Sequence, residues 1–165
     1  MKTLYLVRHA KSSWDDLTIE DYERPLLPKG IKRAQKVAKH LLNEGAKPHL
    51  IVSSHAVRAV ETAKIFADIL GYDPDKMLID ENLYFSGETA MENILYGLDS
   101  KIEQVMLVGH NPDMTRFANV FLPDDQKIDY LPTSGVVCVA FQTEKWREIM
   151  PAKRNIPFVI IPKTL

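Results

Sequence analysis

Short apolar runs alternate along the chain with longer segments whose apolar residues have helical spacing. Four of these runs are typical of buried strands, at residues 4–7, 50–52, 77–79 and 105–108. The polar stretch from Lys11 to Leu27, which ends among prolines, is expected to be a loop. Alternating strands and helices predict a mostly parallel sheet that is covered by helices on both faces.

Helical spacing is clearest in two segments of the first half. One covers residues 29–43 and the next ends at Leu70, each with a glycine shortly after it that can end the helix. Further along, Thr89 and Glu92 have the spacing of a capping box, which predicts a helix from there to about Gly97.

The last third of the chain predicts one more helix and the edge of the sheet. Pro112 suits the first turn of a helix, and residues 135–141 read as a strand with 146–150 as its hairpin partner. Residues 158–161, bracketed by prolines, suit an edge strand or an extended tail. We therefore expect an α/β fold, a three-layer α/β/α sandwich with a mostly parallel central sheet and one antiparallel strand.

Length and charge limit the classes of partner. The 165 residues predict a single domain, residues 1–165. The net charge is -1, from 21 basic and 22 acidic residues, so no global field recruits nucleic acid or an anionic membrane. An anionic ligand therefore needs a local cluster of cations.

The single cysteine bears on the compartment. Cys138 lies in an apolar run and has no second cysteine to pair with, which favours a reducing environment. No apolar run approaches the length that spans a membrane, and the first is too short for a signal-peptide core. We expect a cytoplasmic, monomeric enzyme.

Three strand-to-helix junctions carry the candidate chemistry. The first has Arg8 and His9, the second has Ser53, Ser54, His55 and Arg58, and the third has His110 and Asn111. Ligands of open α/β sheets bind at the carboxyl ends of the strands, where these junctions lie. A neutral imidazole can act as a nucleophile and arginine matches a phosphoryl group, so the pattern indicates phosphoryl transfer through a phosphohistidine.

The sequence resembles the histidine phosphatase superfamily, also called phosphoglycerate mutase-like, and within it the small phosphohistidine phosphatases of bacteria. Five motifs carry the resemblance, in the order of the family and over most of the chain: Leu6-Val7-Arg8-His9-Ala10, Glu23-Arg24-Pro25-Leu26, Ser53 to Ala63, Val108-Gly109-His110-Asn111-Pro112 and Thr133-Ser134-Gly135.

The resemblance implies a role for each matching residue. His9 is the phosphorylated nucleophile, Arg8 and Arg58 bind the phosphoryl oxygens, and His110, cationic or as a hydrogen-bond donor, completes the pocket. Arg24 matches a further phosphate-binding arginine of the small members. Such a site needs no metal and no cofactor, because arginines and histidines stabilise the transferring group.

The general acid that many members use is not assigned by the sequence. Glu81 lies near the expected region, and Asp15, Asp16 and Asp21 are loop alternatives. Imidazole leaves phosphorus more easily than an alkoxide does and depends less on a strong acid. A weak or absent acid therefore fits phosphohistidine as the substrate.

Other phosphatase chemistries lack their motifs. A cysteine phosphatase needs arginine six positions after its nucleophile, where Glu144 follows Cys138. Asp73-Pro74-Asp75 reads as a turn. Neither a nucleotide-binding phosphate loop nor zinc spacing is present.

We therefore expect a metal-independent phosphatase that acts through phospho-His9 on protein phosphohistidine, with a place in signal transduction. The chain is too short for the insertions that cover the site of metabolic mutases, which predicts an open site. Two alternatives stay open: a phosphatase for a small phosphorylated metabolite, and a noncatalytic module that binds phosphate or phosphohistidine.

Overall fold

Ten helices and strands make up the fold, and the computed structural model describes all 165 residues. In chain order they are β1 Lys2–Arg8, α1 Pro28–Asn43, β2 Leu50–Ser53, α2 Val57–Leu70, β3 Leu78–Ile79, α3 Glu88–Tyr96, β4 Gln104–Gly109, α4 Asp113–Phe121, β5 Val136–Phe141 and β6 Arg154–Ile160. None of the helices has the length and apolar character needed to cross a membrane.

The six strands form one sheet in the order β3-β2-β4-β1-β5-β6. The first four in this order pair in parallel, whereas β5 is antiparallel to both β1 and β6. Only β5 therefore runs against the others, which confirms the predicted mostly parallel sheet with one antiparallel strand. The strand at residues 158–161 is confirmed as the edge strand β6.

Both faces of the sheet are buried, which explains the unbroken apolar runs. Successive side chains of a strand point to opposite faces. Tyr5 and Val7 of β1 pack into the core under α1 and α2, while Leu4 and Leu6 pack into the core under α3 and α4. The three-layer sandwich predicted from the sequence is thus present.

Two local predictions are wrong. Residues 146–150 do not pair with β5, because Trp146 begins a short 3₁₀ turn, is buried and donates its indole N–H to the Ile102 carbonyl at 2.7 Å. The hairpin partner of β5 is β6. The capping box at Thr89 is also absent, because Gly87 is the residue before the helix and donates its N–H to the Asp113 carboxylate at 2.9 Å.

Candidate active site

The carboxyl ends of three adjacent strands bring the candidate residues together. β4 lies between β2 and β1, so the residues that follow these strands share one edge of the sheet. Hydrogen bonds continue past the strand ends: His9 N–H donates to the Gly109 carbonyl and Ser54 N–H to the Val108 carbonyl, both at 3.0 Å. The first turn of α2 presents Arg58 at the same edge.

Because β5 runs antiparallel to β1, its first residues lie at the edge where β1 ends. Just before it, Ser134 N–H donates to the carbonyls of both Arg8 and His9, at 3.1 Å each. This contact fixes the segment around Thr133 beside the end of β1. Thr133, from one of the motifs that carry the resemblance, lines the cavity described next.

A cavity of about 380 Å³ opens at this edge. Its wall includes His9, His110 and the three arginines Arg8, Arg24 and Arg58. Asp21 is the one carboxylate in the wall. The cavity is therefore strongly cationic although the whole chain carries a net charge of -1.

His9 is held as a neutral imidazole. Its Nδ1 lies 2.7 Å from the Ala10 carbonyl, which can only accept, so Nδ1 carries the proton and Nε2 keeps its lone pair. Burial, followed by the charges of Arg58 and Arg8, lowers the pKa of His9 to about 3, although the hydrogen bond to the carbonyl opposes this shift. The side chain thus presents an unprotonated Nε2 at neutral pH.

Thr62 links the backbone after His9 to α2. Its hydroxyl accepts from Ala10 N–H at 2.9 Å and donates to the Arg58 carbonyl at 2.7 Å. All the groups that form these two hydrogen bonds are buried. The peptide that follows His9 and the helix that carries Arg58 are therefore held in a fixed relation.

Asp21 positions two of the arginines. Arg58 donates to its carboxylate at 2.9 Å and to its main-chain carbonyl at 2.8 Å, and Arg24 Nε donates to the same carboxylate at 3.1 Å. Arg24 also donates to the Ser12 hydroxyl at 2.9 Å, and its guanidinium lies over the Trp14 ring, 3.5 Å from the centroid. The polar loop between β1 and α1 thus closes one side of the cavity.

The carboxyl of Asp21 is ionised. Burial raises its pKa, but hydrogen bonds from Tyr84 and Arg58 outweigh this effect and lower the pKa to about 2. Asp21 therefore holds no proton to donate at neutral pH.

The other carboxyls considered as general acids lie outside the cavity wall. Glu81 is exposed and begins a 3₁₀ turn, and Asp16 is exposed and accepts from Thr18. Asp15 is also exposed. The cavity wall thus contains no carboxyl group that is protonated at neutral pH.

His110 lies beside His9, with the two ring centroids 5.1 Å apart. Its Nε2 is 2.8 Å from the Ser54 hydroxyl, which also accepts from the backbone N–H of Ala56. Burial, together with His9 and Arg58, lowers the pKa of His110 to about 2, so this ring is neutral. When the Ser54 hydroxyl donates to Nε2, the proton of His110 is on Nδ1.

Three buried nitrogens of the cavity wall have no hydrogen-bond partner in the protein. They are Arg8 Nε, Arg58 Nε and His110 Nδ1. A buried donor without a partner costs about 1–3 kcal/mol, so such groups are retained where they have a use. An anion with several oxygens satisfies donors of this kind at once.

Sequence reasoning missed several residues of the site. Phe85 has a φ of +60°, a strained value for a bulky residue, and its ring packs on His110 with centroids 4.7 Å apart. Tyr84 donates to Asp21 from the same segment. Their segment follows a two-residue strand and has no periodicity that marks it. One feature of the sequence could have indicated Thr62 as a site residue, namely its position one helical turn after Arg58.

No group of three or more His, Cys, Asp or Glu side chains is arranged to hold a metal ion. The donors of the cavity are arginines and imidazoles, which suit an anion. His55, one of the junction residues, lies outside the wall and packs between the rings of Tyr22 and Tyr84.

Comparison with known proteins shows similarity to one family. Residues 4–84 match the family model of the histidine phosphatase superfamily, branch 1. An uncharacterized chloroplast protein of Arabidopsis thaliana is 38% identical over 118 residues, which cover 67% of this chain and 54% of that protein. A Hydrogenobacter thermophilus protein, named as a candidate phosphoserine phosphatase, is 36% identical over 85 residues, 50% of this chain and 39% of that protein. The matched part of the chain spans about half of the length of the first relative and less than half of the second.

Solved structures share the whole fold. A protein of Agrobacterium tumefaciens, named as a candidate phosphohistidine phosphatase SixA, superposes with a TM-score of 0.82, 24% identity and 98% of each chain covered. The protein histidine phosphatase SixA in complex with tungstate superposes with a TM-score of 0.81, 16% identity and 98% of each chain covered. At these identities the likeness establishes the fold.

Proposed function

We propose that this chain, whose residues 4–84 match the family model of the histidine phosphatase superfamily, is a metal-independent phosphatase that hydrolyses protein phosphohistidine through phosphorylated His9. One observation carries the proposal: a neutral imidazole, with its lone pair on Nε2, lies in a cavity of arginines. We further propose that the protein acts as a monomer in the cytoplasm, in signal transduction.

In the first step, His9 Nε2 attacks the phosphorus of the substrate. The new N–P bond forms as the bond from phosphorus to the leaving nitrogen breaks, and the leaving imidazole keeps that electron pair. Arg8, Arg58 and Arg24 bind the phosphoryl oxygens, and His110 donates a hydrogen bond from Nδ1. Catalysis of this kind depends on position and on charge stabilisation of the equatorial oxygens.

In the second step, water attacks the phosphorus of phospho-His9. The N–P bond breaks, its electron pair returns to Nε2, and inorganic phosphate leaves. The hydrogen bond from Nδ1 to the Ala10 carbonyl keeps the ring in the orientation needed for both steps. His9 is then ready for another cycle.

The leaving group supports phosphohistidine as the substrate. An alkoxide needs a proton from a general acid, whereas imidazole leaves more readily. Asp21, the one carboxylate of the wall, has a pKa of about 2 and is tied to Arg58 and Arg24. The exposed rings of Trp14 and Phe85 at the wall leave room for a side chain that belongs to another protein.

A second candidate function is the hydrolysis of a small phosphate monoester. The likeness to the Hydrogenobacter thermophilus protein, named as a candidate phosphoserine phosphatase, favours it. It differs from the main proposal in the leaving group, which here is an alkoxide.

An assay of kcat/KM decides between the two candidates. The substrates are a protein phosphorylated on histidine and a panel of phosphate monoesters that includes phosphoserine. We expect the phosphohistidine protein to be hydrolysed with the higher kcat/KM. Higher values for any monoester reject phosphohistidine as the preferred substrate.

A further inference from the structure

Helix α1 is unusually cationic. Its sequence contains five lysines and arginines and no carboxylate: Lys29, Lys32, Arg33, Lys36 and Lys39. Several of them lie in the first turns, where the helix dipole already places positive charge. Cations at this end lower the stability of a helix and favour the approach of an anion. The stability of the helix therefore does not explain why these cations lie near its first turns.

Two further cavities connect this helix to the catalytic cavity. A cavity of about 410 Å³ shares Arg8 and Thr133 with the catalytic one and is also lined by Arg33 and Lys163. A third cavity of about 300 Å³ shares Arg33 and Lys163 with the second. The two form one continuous surface that leads away from the active site.

We call this surface the basic trough, and its cations besides Arg8, which it shares with the catalytic cavity, are Lys29, Lys32, Arg33, Lys36 and Lys163. No Asp or Glu lines either of its cavities, and none of its cations forms a salt bridge with an acidic side chain. The closeness of Lys29, and then of Arg33, lowers the pKa of the neighbouring Lys11. Lys36 donates to the main-chain oxygen of Leu165 at 2.9 Å, and no acidic side chain compensates the positive charge of the trough.

We propose that the basic trough is a docking site for an acidic polypeptide segment next to the phosphohistidine of the substrate protein. The inference rests on the proposed function, because it assumes that the phosphoryl group enters the cavity with His9. Charge complementarity around a site accelerates association and selects among partners.

The length of the trough favours a polypeptide over a small anion. From Lys29 to Lys36 the helix alone extends about 10 Å along its axis, at about 1.5 Å per residue. The second cavity adds the distance from α1 to Arg8. Several carboxylates along an acidic segment match cations spaced over this length, whereas a single small anion reaches only a few of them.

The test uses two synthetic peptides, each phosphorylated on one histidine. Glutamates flank the phosphohistidine on both sides in the first peptide, and glutamines replace them in the second. We expect kcat/KM of the wild-type protein to be about tenfold higher for the glutamate peptide at low salt. The preference should shrink at about 0.5 M salt, where charges are screened over a few ångströms.

Charge reversal assigns the preference to the trough. Arg33→Glu/Lys163→Glu changes two exposed residues and should bring the ratio of the two kcat/KM values close to one. The matched control is Lys39→Glu/Lys64→Glu, which changes the net charge equally at exposed positions outside both trough cavities. The control should keep the preference of the wild type.

A binding measurement separates failure of the inference from failure of the proposed function. Fluorescence anisotropy of the same peptides on the His9→Ala variant gives the two Kd values without turnover. If the wild-type protein hydrolyses neither peptide, the proposed function fails, and the Kd ratio still decides on the trough. The inference is overturned if both peptides bind equally, or if the control abolishes the preference as fully as the trough variant does.

Discussion

At the residue scale, the site combines two opposing requirements on His9. As the proposed nucleophile, His9 has to stay unprotonated, yet it is surrounded by the cations that are proposed to stabilise a phosphoryl group. Its burial and the neighbouring arginines both disfavour the imidazolium form, so the arginines that are proposed to bind phosphate also keep Nε2 free. The hydrogen bond from Nδ1 to the Ala10 carbonyl sets the tautomer.

We expect the His9 ring to remain neutral from neutral pH down to about pH 5, because its pKa is lowered to about 3 from the ordinary 6.5. NMR of protein with ¹⁵N-labelled imidazole rings measures the protonation directly. The same rings in the urea-unfolded chain are the control and should titrate near their ordinary value. A midpoint near 6.5 for His9 in the folded protein contradicts the account.

The same shift has a consequence for stability. Between 6.5 and about 3, the unfolded chain binds a proton at His9 that the folded protein does not. Stability rises with pH wherever the unfolded state binds more protons, so the free energy of unfolding should fall as the pH drops through this range. The lowered pKa of His110 acts in the same direction. Urea unfolding at several pH values gives the slope.

Arg58→Ala should lower kcat/KM by about 100-fold or more, because it removes charge-assisted donors from the transferring group. It also removes a partner of the Asp21 carboxylate. Steady-state kinetics with the phosphohistidine peptide measures the effect, and thermal unfolding checks the fold. Arg58→Lys keeps the charge but loses the planar guanidinium, so its kcat/KM should lie between those of Arg58→Ala and the wild type.

Arg116→Ala is the matched control, since Arg116 is exposed on α4 and lies outside the cavity wall. It should leave kcat/KM unchanged. Activity of a folded Arg58→Ala variant close to that of the wild type would remove Arg58 from the proposed mechanism.

The sequence predicts the strand-end residues better than the loop residues, for a physical reason. Arg8, His9 and His110 directly follow apolar strands, and parallel strands end at a common edge. The structure brings them together with Arg58. The contacts of Asp21 depend on the path of an irregular loop, which apolar periodicity does not encode.

At the element scale, α1 approaches the chain after His9 at one glycine. A Cβ on Gly30 would overlap the main-chain carbonyl oxygen of Lys11, so the first turn of α1 and the start of the long loop touch through backbone atoms. Leu27 N–H donates to the same carbonyl at 2.9 Å. This contact helps to place the loop that holds Arg24.

Gly30→Ala should therefore lower the free energy of unfolding by about 1–3 kcal/mol, although alanine is the better helix former. The added methyl group forces the helix and the loop apart. Urea unfolding measures the change, and Gln35→Ala, at an exposed position of the same helix, should stay within about 0.5 kcal/mol of the wild type. An increase in stability for Gly30→Ala would show that the backbone contact is not limiting.

Elements were predicted well where they bury apolar residues on a regular period. The first four strands, α1 and α2 follow directly from that pattern. The prediction of a hairpin strand at residues 146–150 is wrong because Trp146 is buried and bonds to Ile102, a residue far from it in the sequence. Helix α3, Glu88–Tyr96, confirms the predicted helix, but the capping box is wrong, because Gly87 precedes the helix and donates its N–H to Asp113, which is also distant in sequence.

On the scale of the whole molecule, charge is concentrated where the fold needs it for binding. The chain is nearly neutral, yet nine of its 21 lysines and arginines line the cavity around His9 and the basic trough, whereas Asp21 is the one acidic residue in any of these three walls. The sheet supports this segregation, because adjacent strand ends gather residues that are far apart in sequence. The trough could not be anticipated from the sequence, since it joins α1 to Lys163 near the end of the chain.

The most direct test of the central claim is to trap the phosphorylated enzyme during turnover. The wild-type protein is mixed with a phosphohistidine peptide, quenched within milliseconds to seconds, digested under alkaline conditions and analysed by mass spectrometry. We expect an acid-labile phosphoryl group on His9, and none in the His9→Ala variant. Turnover by the wild-type protein with no label on His9, or turnover that persists in His9→Ala, would contradict the account.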